Sequence, residues 1–236
     1  MSLSNNTQIE NPCKKWIEYK AETKQWVFWN KGLEQNEEVK DLKFVPLDEL
    51  STVVGFYEPG QCGIYSNEVH NLTEQILKVK SFKGGLELVG YYKDIKDSLK
   101  VHGGRFAKSV YALLVTDTGF ELVNFKFKGV AFSGWLEKKF NPLGKIITVT
   151  DYIAGKKGRS EYFTPVFTAG ETLQGDDYQY AIIVDKELQE YFKACEKKAP
   201  ANVPVPEKET PPVLTDLEKT IVEEIGGEIE SENLPF

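Results

Sequence analysis

The sequence predicts a mainly β protein: a barrel with additional hairpins, a few helices and a C-terminal helix. Three observations predict this. Short runs rich in Val, Ile, Tyr, Phe and Trp alternate with polar residues at the two-residue period of a half-buried strand. Gly-, Asp- and Asn-containing turn signals separate those runs at regular intervals. Segments with helical spacing are few and short. The chain has 236 residues, 41% of them hydrophobic, enough for one substantial core.

Element by element, "KWIEYKAETKQWVFWNK" reads as two aromatic-rich strands around a polar turn. "KFVPLDELSTVVGFYE" is strand-like at both ends, with Pro46 weakening its first half because proline donates no ladder hydrogen bond. "GIYSNEVHN" reads as a polar loop carrying Tyr65 and held by Asn67 and Glu68. "QILKVKSF" and "GLELVGYY" flank Gly84-Gly85 as a hairpin. "KDIKDSLKV" is a short helix with Ile95 and Leu99 on one side, ended by Gly103-Gly104. A second hairpin turns at Asp117, Thr118 and Gly119. "GVAFSGWLEKKF" is helical, with Phe132, Trp135, Leu136 and Phe140 on one face. A third hairpin has a Lys-Lys-Gly-Arg tip, and "YQYAIIVDKELQEYFKACEKK" gives a last strand and a closing helix. Seven or eight strands of this kind, with a short helix between hairpins, match an OB-fold-like barrel.

The body spans residues 1–198. The start "MSLSNNTQIE" has neither a basic nor an apolar leader segment and is left out of the fold reasoning. Residues 199–213, with five prolines, form a semi-rigid linker, and residues 214–236 an acidic tail. Within the tail Thr215 and Glu218 make a capping-box pattern ahead of Leu217, Ile221 and Ile225 at helical spacing. No run approaches the roughly 18 apolar residues of a membrane span. Three scattered cysteines form neither a disulfide framework nor a zinc pattern, which places the chain in a reducing cytoplasm.

Charge is segregated. Residues 199–236 carry nine acids and two lysines, whereas residues 1–198 balance at 27 of each sign. Within the body, residues 78–159 hold 16 Lys and Arg against 7 Asp and Glu, a surplus of nine positive charges. Basic blocks attract polyanions, and acidic tails repel them or engage basic partners.

Catalysis is not expected. The two histidines, His70 and His102, lack metal-ligand spacing, and no nucleotide-binding or hydrolase motif is present. "KGG" at 83–85 is too short for a phosphate loop, and Asp176-Asp177 reads as a solvated turn rather than a magnesium site. No cofactor or metal is implied.

Single-strand binders need cations for phosphates and aromatic faces for bases. The basic block interleaves them: Lys78, Lys80, Phe82 and Lys83; Arg105, Phe106, Lys108 and Tyr111; Lys126 and Lys128 around Phe127; Tyr152, Lys156, Lys157 and Arg159. Period-two alternation sets Lys78 with Lys80, and Lys126 with Lys128, as stripes along a strand face. The plain alternative is that these aromatics fill a core and the lysines guard a strand against aggregation. Trp16, Trp26 and Trp29 are assigned to the core or an interface, with base stacking as the alternative.

The tail carries a resemblance. Its Pro-rich spacer, its acids Glu228, Glu230 and Glu232, and its ending in Leu234, Pro235 and Phe236 resemble the C-terminal tail of bacterial single-stranded DNA-binding proteins. The body run "LDELSTVVGF…GIYSNEV…LKVKSFKGG…LVGYYKDIKD…SVYALLV…GVAFSGWLE" resembles phage and prophage proteins of that kind. The resemblance implies a sequence-nonspecific binder of single-stranded DNA in replication or recombination in a bacterial cell. It implies that Pro235 and Phe236 anchor partner proteins while the acids steer their approach, and it leaves a homo-oligomer open. The rival readings are a phage structural or assembly protein acting through protein–protein contacts, and a nucleic-acid enzyme using surface carboxylates.

Overall fold

The computed structural model describes residues 10–197, so the Pro-rich linker and the acidic tail with its Leu-Pro-Phe end lie outside the described residues. Eleven strands and three helices follow one another: β1 (Lys15–Lys20), β2 (Gln25–Asn30), β3 (Gln35–Glu38), β4 (Lys43–Tyr57), β5 (Cys62–Ser66), β6 (Leu77–Ser81), β7 (Glu87–Gly90), α1 (Tyr92–Val101), β8 (Gly104–Thr116), β9 (Gly119–Phe127), α2 (Gly129–Leu136), β10 (Lys145–Lys157), β11 (Ser160–Thr172) and α3 (Gly175–Lys197). The protein is mainly β with a C-terminal helix, as its sequence pattern requires.

The strands form one mixed sheet in the order β3-β2-β1-β9-β8-β4-β5-β6-β7, with the β10–β11 hairpin joined to it through β4. Neighbours are antiparallel except β1 and β9, which are parallel. The sheet is open, not the closed barrel expected from the sequence. The reason lies at the hairpin. β10 meets β4 only at Ile147–Phe44 and Thr148–Lys43, and β11 pairs with β10 alone. The far side of β11 is pinned without a ladder: the Phe163 amide donates to the Ala21 carbonyl at 3.0 Å, and Tyr19 Oη donates to the Phe163 carbonyl at 2.8 Å.

The inner face of the sheet, the hairpin and α2 enclose the main core. Ile17, Trp26, Phe44, Phe125, Phe127, Phe132, Trp135, Ile147 and Phe167 meet there in a chain of tilted and edge-on ring contacts. Such pairs stabilise by about 0.5–1.5 kcal/mol beyond the area they bury. Helix α2 supplies Phe132 and Trp135 but ends at Leu136, so Phe140 lies beyond it. On the outer face α3 covers Val45, Leu50, Tyr111 and Leu113 with Ala181, Val184, Leu188 and Phe192. β8 is therefore buried on both sides over much of its length, which is why its sequence reads as a continuous run and not an alternation.

Two local readings change. The segment expected to give a strand and then a helix is the single 23-residue helix α3. Its apolar run at 181–184 fits either period by itself, but the buried residues 181, 184, 188 and 192 keep helical spacing. Asp176 and Asp177 sit in its first turn, where the helix dipole favours acids. The expected weak half of β4 is continuous strand, because Pro46 falls at a bulge between Pro46 and Asp48 that needs no donor there. That bulge also lets Val45, Leu47 and Leu50 all face α3.

Candidate nucleic-acid interface

Alternation assigns each residue of the sheet to a face. Val53, Ile64, Leu77, Val79 and Phe106 enter the inner core. Their neighbours Val54, Phe56, Gly63, Tyr65, Lys78, Lys80, Phe82 and Arg105 therefore share the outer face. The register aligns them: Arg105 opposes Val54, Val54 opposes Tyr65, and Tyr65 opposes Lys80. α3 leaves this end of the face uncovered.

Here Tyr65 and Phe82 stack with ring centroids 4.6 Å apart and an interplanar angle of 27°. Tyr65 is 41% exposed and Phe82 72%. Phe56, also exposed, opposes Gly63 in the ladder. Gly63 leaves room for the stack, since a Cβ there would lie 3.0 Å from the Phe82 ring. The Phe82 amide donates to the Gly63 carbonyl at 3.0 Å and fixes the ring over the strand. At the back of this region Gly103, at φ 79°, would thrust a Cβ to 2.3 Å from the Phe56 carbonyl oxygen, so only glycine fits.

Cations flank the rings in chain position and register. Lys80 is exposed and pairs with Glu87 at 2.9 Å, Lys83 reaches the Gln61 carbonyl at 3.4 Å, and Lys78 and Arg105 lie on the same face. The expected Lys78–Lys80 stripe is present as geometry.

The other candidates lie elsewhere. Phe106 and Lys108 face inward and are buried, so neither presents a surface to a ligand. Tyr111 faces outward but is sealed under Phe192 of α3. Lys126 is held in a polar cluster with the largely buried carboxylate of Glu68, which also accepts hydrogen bonds from Ser109 and Tyr111, both at 2.6 Å. Burial opposes ionisation of Glu68, but the Lys126 charge and these donors outweigh it and hold the carboxyl below its ordinary range. The same burial and the Glu68 charge push the Tyr111 phenol well upward. These four residues are corrections to the expected site: they build the interior. Lys128, the N-cap residue of α2, pairs with Glu18 at 3.1 Å.

Tyr152, Lys156, Lys157 and Arg159 lie on the β10–β11 hairpin. Because β10 runs antiparallel to β4 and leaves it at Lys43, its tip points away from Phe56 at the other end of that strand. About 12 residues at about 3.3 Å each separate the two attachment points, on the order of 40 Å. Tyr152 stacks on Tyr19, centroids 6.1 Å apart, at the base of the hairpin. The basic block is thus two groups, not one stripe.

Tyr65 and Phe56 were missed from the sequence. Tyr65 belongs to β5, not to a loop, opposite Lys80, and the available signal was its period-two spacing from Gly63.

Among the described residues no group of three or more His, Cys, Asp or Glu could hold a metal ion, and no helix is long and apolar enough to cross a membrane. The fold and site define a class: an open mixed sheet with an aromatic, cation-rimmed platform at one end of its outer face. Protein-family models, curated proteins and solved structures contain no match to this chain.

Proposed function

We propose that the protein binds single-stranded DNA without sequence preference, on the outer face of the sheet at Tyr65 and Phe82. The observation that carries this reading is the stacked, solvent-facing ring pair with Lys78, Lys80 and Arg105 on the same face and Lys83 in the adjoining turn. Aromatic faces take successive bases by stacking, each worth about 1–3 kcal/mol, while cations track the phosphates and make binding salt-dependent. A large exposed ring pair with no such use would be a solubility cost.

Residues 228–236 extend the proposal through their sequence pattern: an acidic stretch with a Leu-Pro-Phe hook suits a basic, apolar pocket on replication or recombination proteins. A bacterial cytoplasm is the setting this reading requires.

The test is fluorescence anisotropy of labelled oligo(dT) at two salt concentrations, with wild type and with Tyr65→Ala/Phe82→Ala. Wild type should bind at low salt, weaken as salt rises, and lose at least tenfold in affinity in the double variant. No binding at low ionic strength would overturn the reading and favour an assembly protein. Competition with oligo(rU) ranks DNA against RNA.

A further inference from the structure

The Tyr65–Phe82 platform is not the only bare aromatic surface on the outer face. Ile17 and Phe28 are paired across β1 and β2 and face the inner core, so their chain neighbours Trp16 and Trp29 fall on the outer face. Trp16 is 42% exposed and Trp29 57%, whereas Trp26 and Trp135 are 2% and 0% exposed. Both indoles stand on adjacent strands near a sheet edge with much of their surface in solvent.

From these observations we propose that Trp16 and Trp29 form a second base-stacking subsite for the same single strand, which crosses the sheet diagonally from Tyr65–Phe82. This rests on the reading above and deepens it. The register gives the separation of the two platforms. Trp16 opposes Asn124, Asn124 opposes Tyr111, and six residues further back on β8 Arg105 opposes Val54, which opposes Tyr65. Four strand spacings of about 4.8 Å and six residues of about 3.3 Å put the two platforms on the order of 28 Å apart. On the intervening strands and at the start of α2 stand Arg105 and the Lys128–Glu18 pair, in which the lysine offsets a carboxylate two residues from Trp16. Between the platforms Ser109, Asn124 and Tyr111 are buried, so the strand passes over the neutral Glu68–Lys126 pair that closes the sheet between β4 and β9. A span of this size falls within the about 4–16 nucleotides covered by single-strand binding domains.

Only Trp16 and Trp29 among the four tryptophans can touch a ligand, so indole emission reports this subsite alone. The full chain is titrated with oligo(dT) of about 4 and about 16 nucleotides, the limits of that range. The long oligonucleotide should quench emission of the wild type, and Trp16→Phe/Trp29→Phe should abolish the quench. Trp16→Ala/Trp29→Ala should lose at least tenfold in affinity for the long strand while its anisotropy isotherm for the short one, held at Tyr65–Phe82, is unchanged. Binding of the long strand without quenching, or an alanine variant that keeps its affinity, overturns the subsite while leaving the first platform standing. Absence of anisotropy change for either length refutes both.

Discussion

The outer face of this sheet has two halves made of similar residues. Toward Val45 and Leu113 it lies under α3, and there Tyr111 is sealed against Leu188 and Phe192. Beyond Ser109 no helix among the described residues covers it, and Tyr65, Phe82 and Phe56 stand in solvent. Both halves draw on strands where aromatics alternate with lysines. What separates them is the cover, because a ring becomes core when another element can exclude water from it and a platform when none does. The Glu68–Lys126–Ser109–Tyr111 cluster marks the border, closing the covered half with a neutralised polar seam.

The sharpest way to break this contrast is at the seam. Glu68→Gln leaves Lys126 buried without its counter-charge and should cost about 3–5 kcal/mol in chemical denaturation. The pH dependence follows from the direction of the Glu68 shift. Its folded-state pKa is depressed, so its stabilisation is present above the ordinary carboxylate range, near pH 4.3 in an unfolded chain, and is lost as pH falls through the folded value. Acid unfolding of the wild type should therefore show a stability loss below that range that Glu68→Gln lacks. Equal slopes in both proteins would remove the seam from the account.

Next in size is the direct exchange of roles between the halves. Tyr111→Ala should cost about 3–5 kcal/mol of stability as a cavity under α3, while Phe82→Ala should change stability by under about 0.5 kcal/mol. Its expected loss is instead about 1–3 kcal/mol of oligo(dT) affinity. A Phe82→Ala protein that unfolds early would show the platform to be core.

The smallest effect is electrostatic. Lys78→Ala and Lys83→Ala should each flatten the plot of log affinity against log salt by about 0.7, one phosphate's share for a single strand. The same change at Lys156, on the hairpin pointing away from the platform, should leave the slope for a short oligonucleotide unaltered; a matching change there would place the hairpin on the strand after all.

Much of this architecture was legible before any coordinates. The hairpins at 15–30, 77–90, 104–127 and 145–172 follow from alternation and turn residues, and the helix at 92–101 from Ile95, Leu99 and the Gly103-Gly104 stop. The Lys78–Lys80 stripe needed only the two-residue period. Misreadings fell where a short apolar run fits both periods, as in α3, or where a strand is too polar to announce itself, as in β3 and β5.

The sequence by itself determined the β character, the hairpins and the segregation of charge, because these depend on neighbours within a few residues. Which aromatic faces water was decided only by tertiary structure. Phe82 and Phe106 have equivalent local surroundings, each a ring beside a lysine or arginine on a strand. One enters the core and the other does not because pairing across β4, β5 and β8, and the reach of α3, settle which side of the sheet is closed.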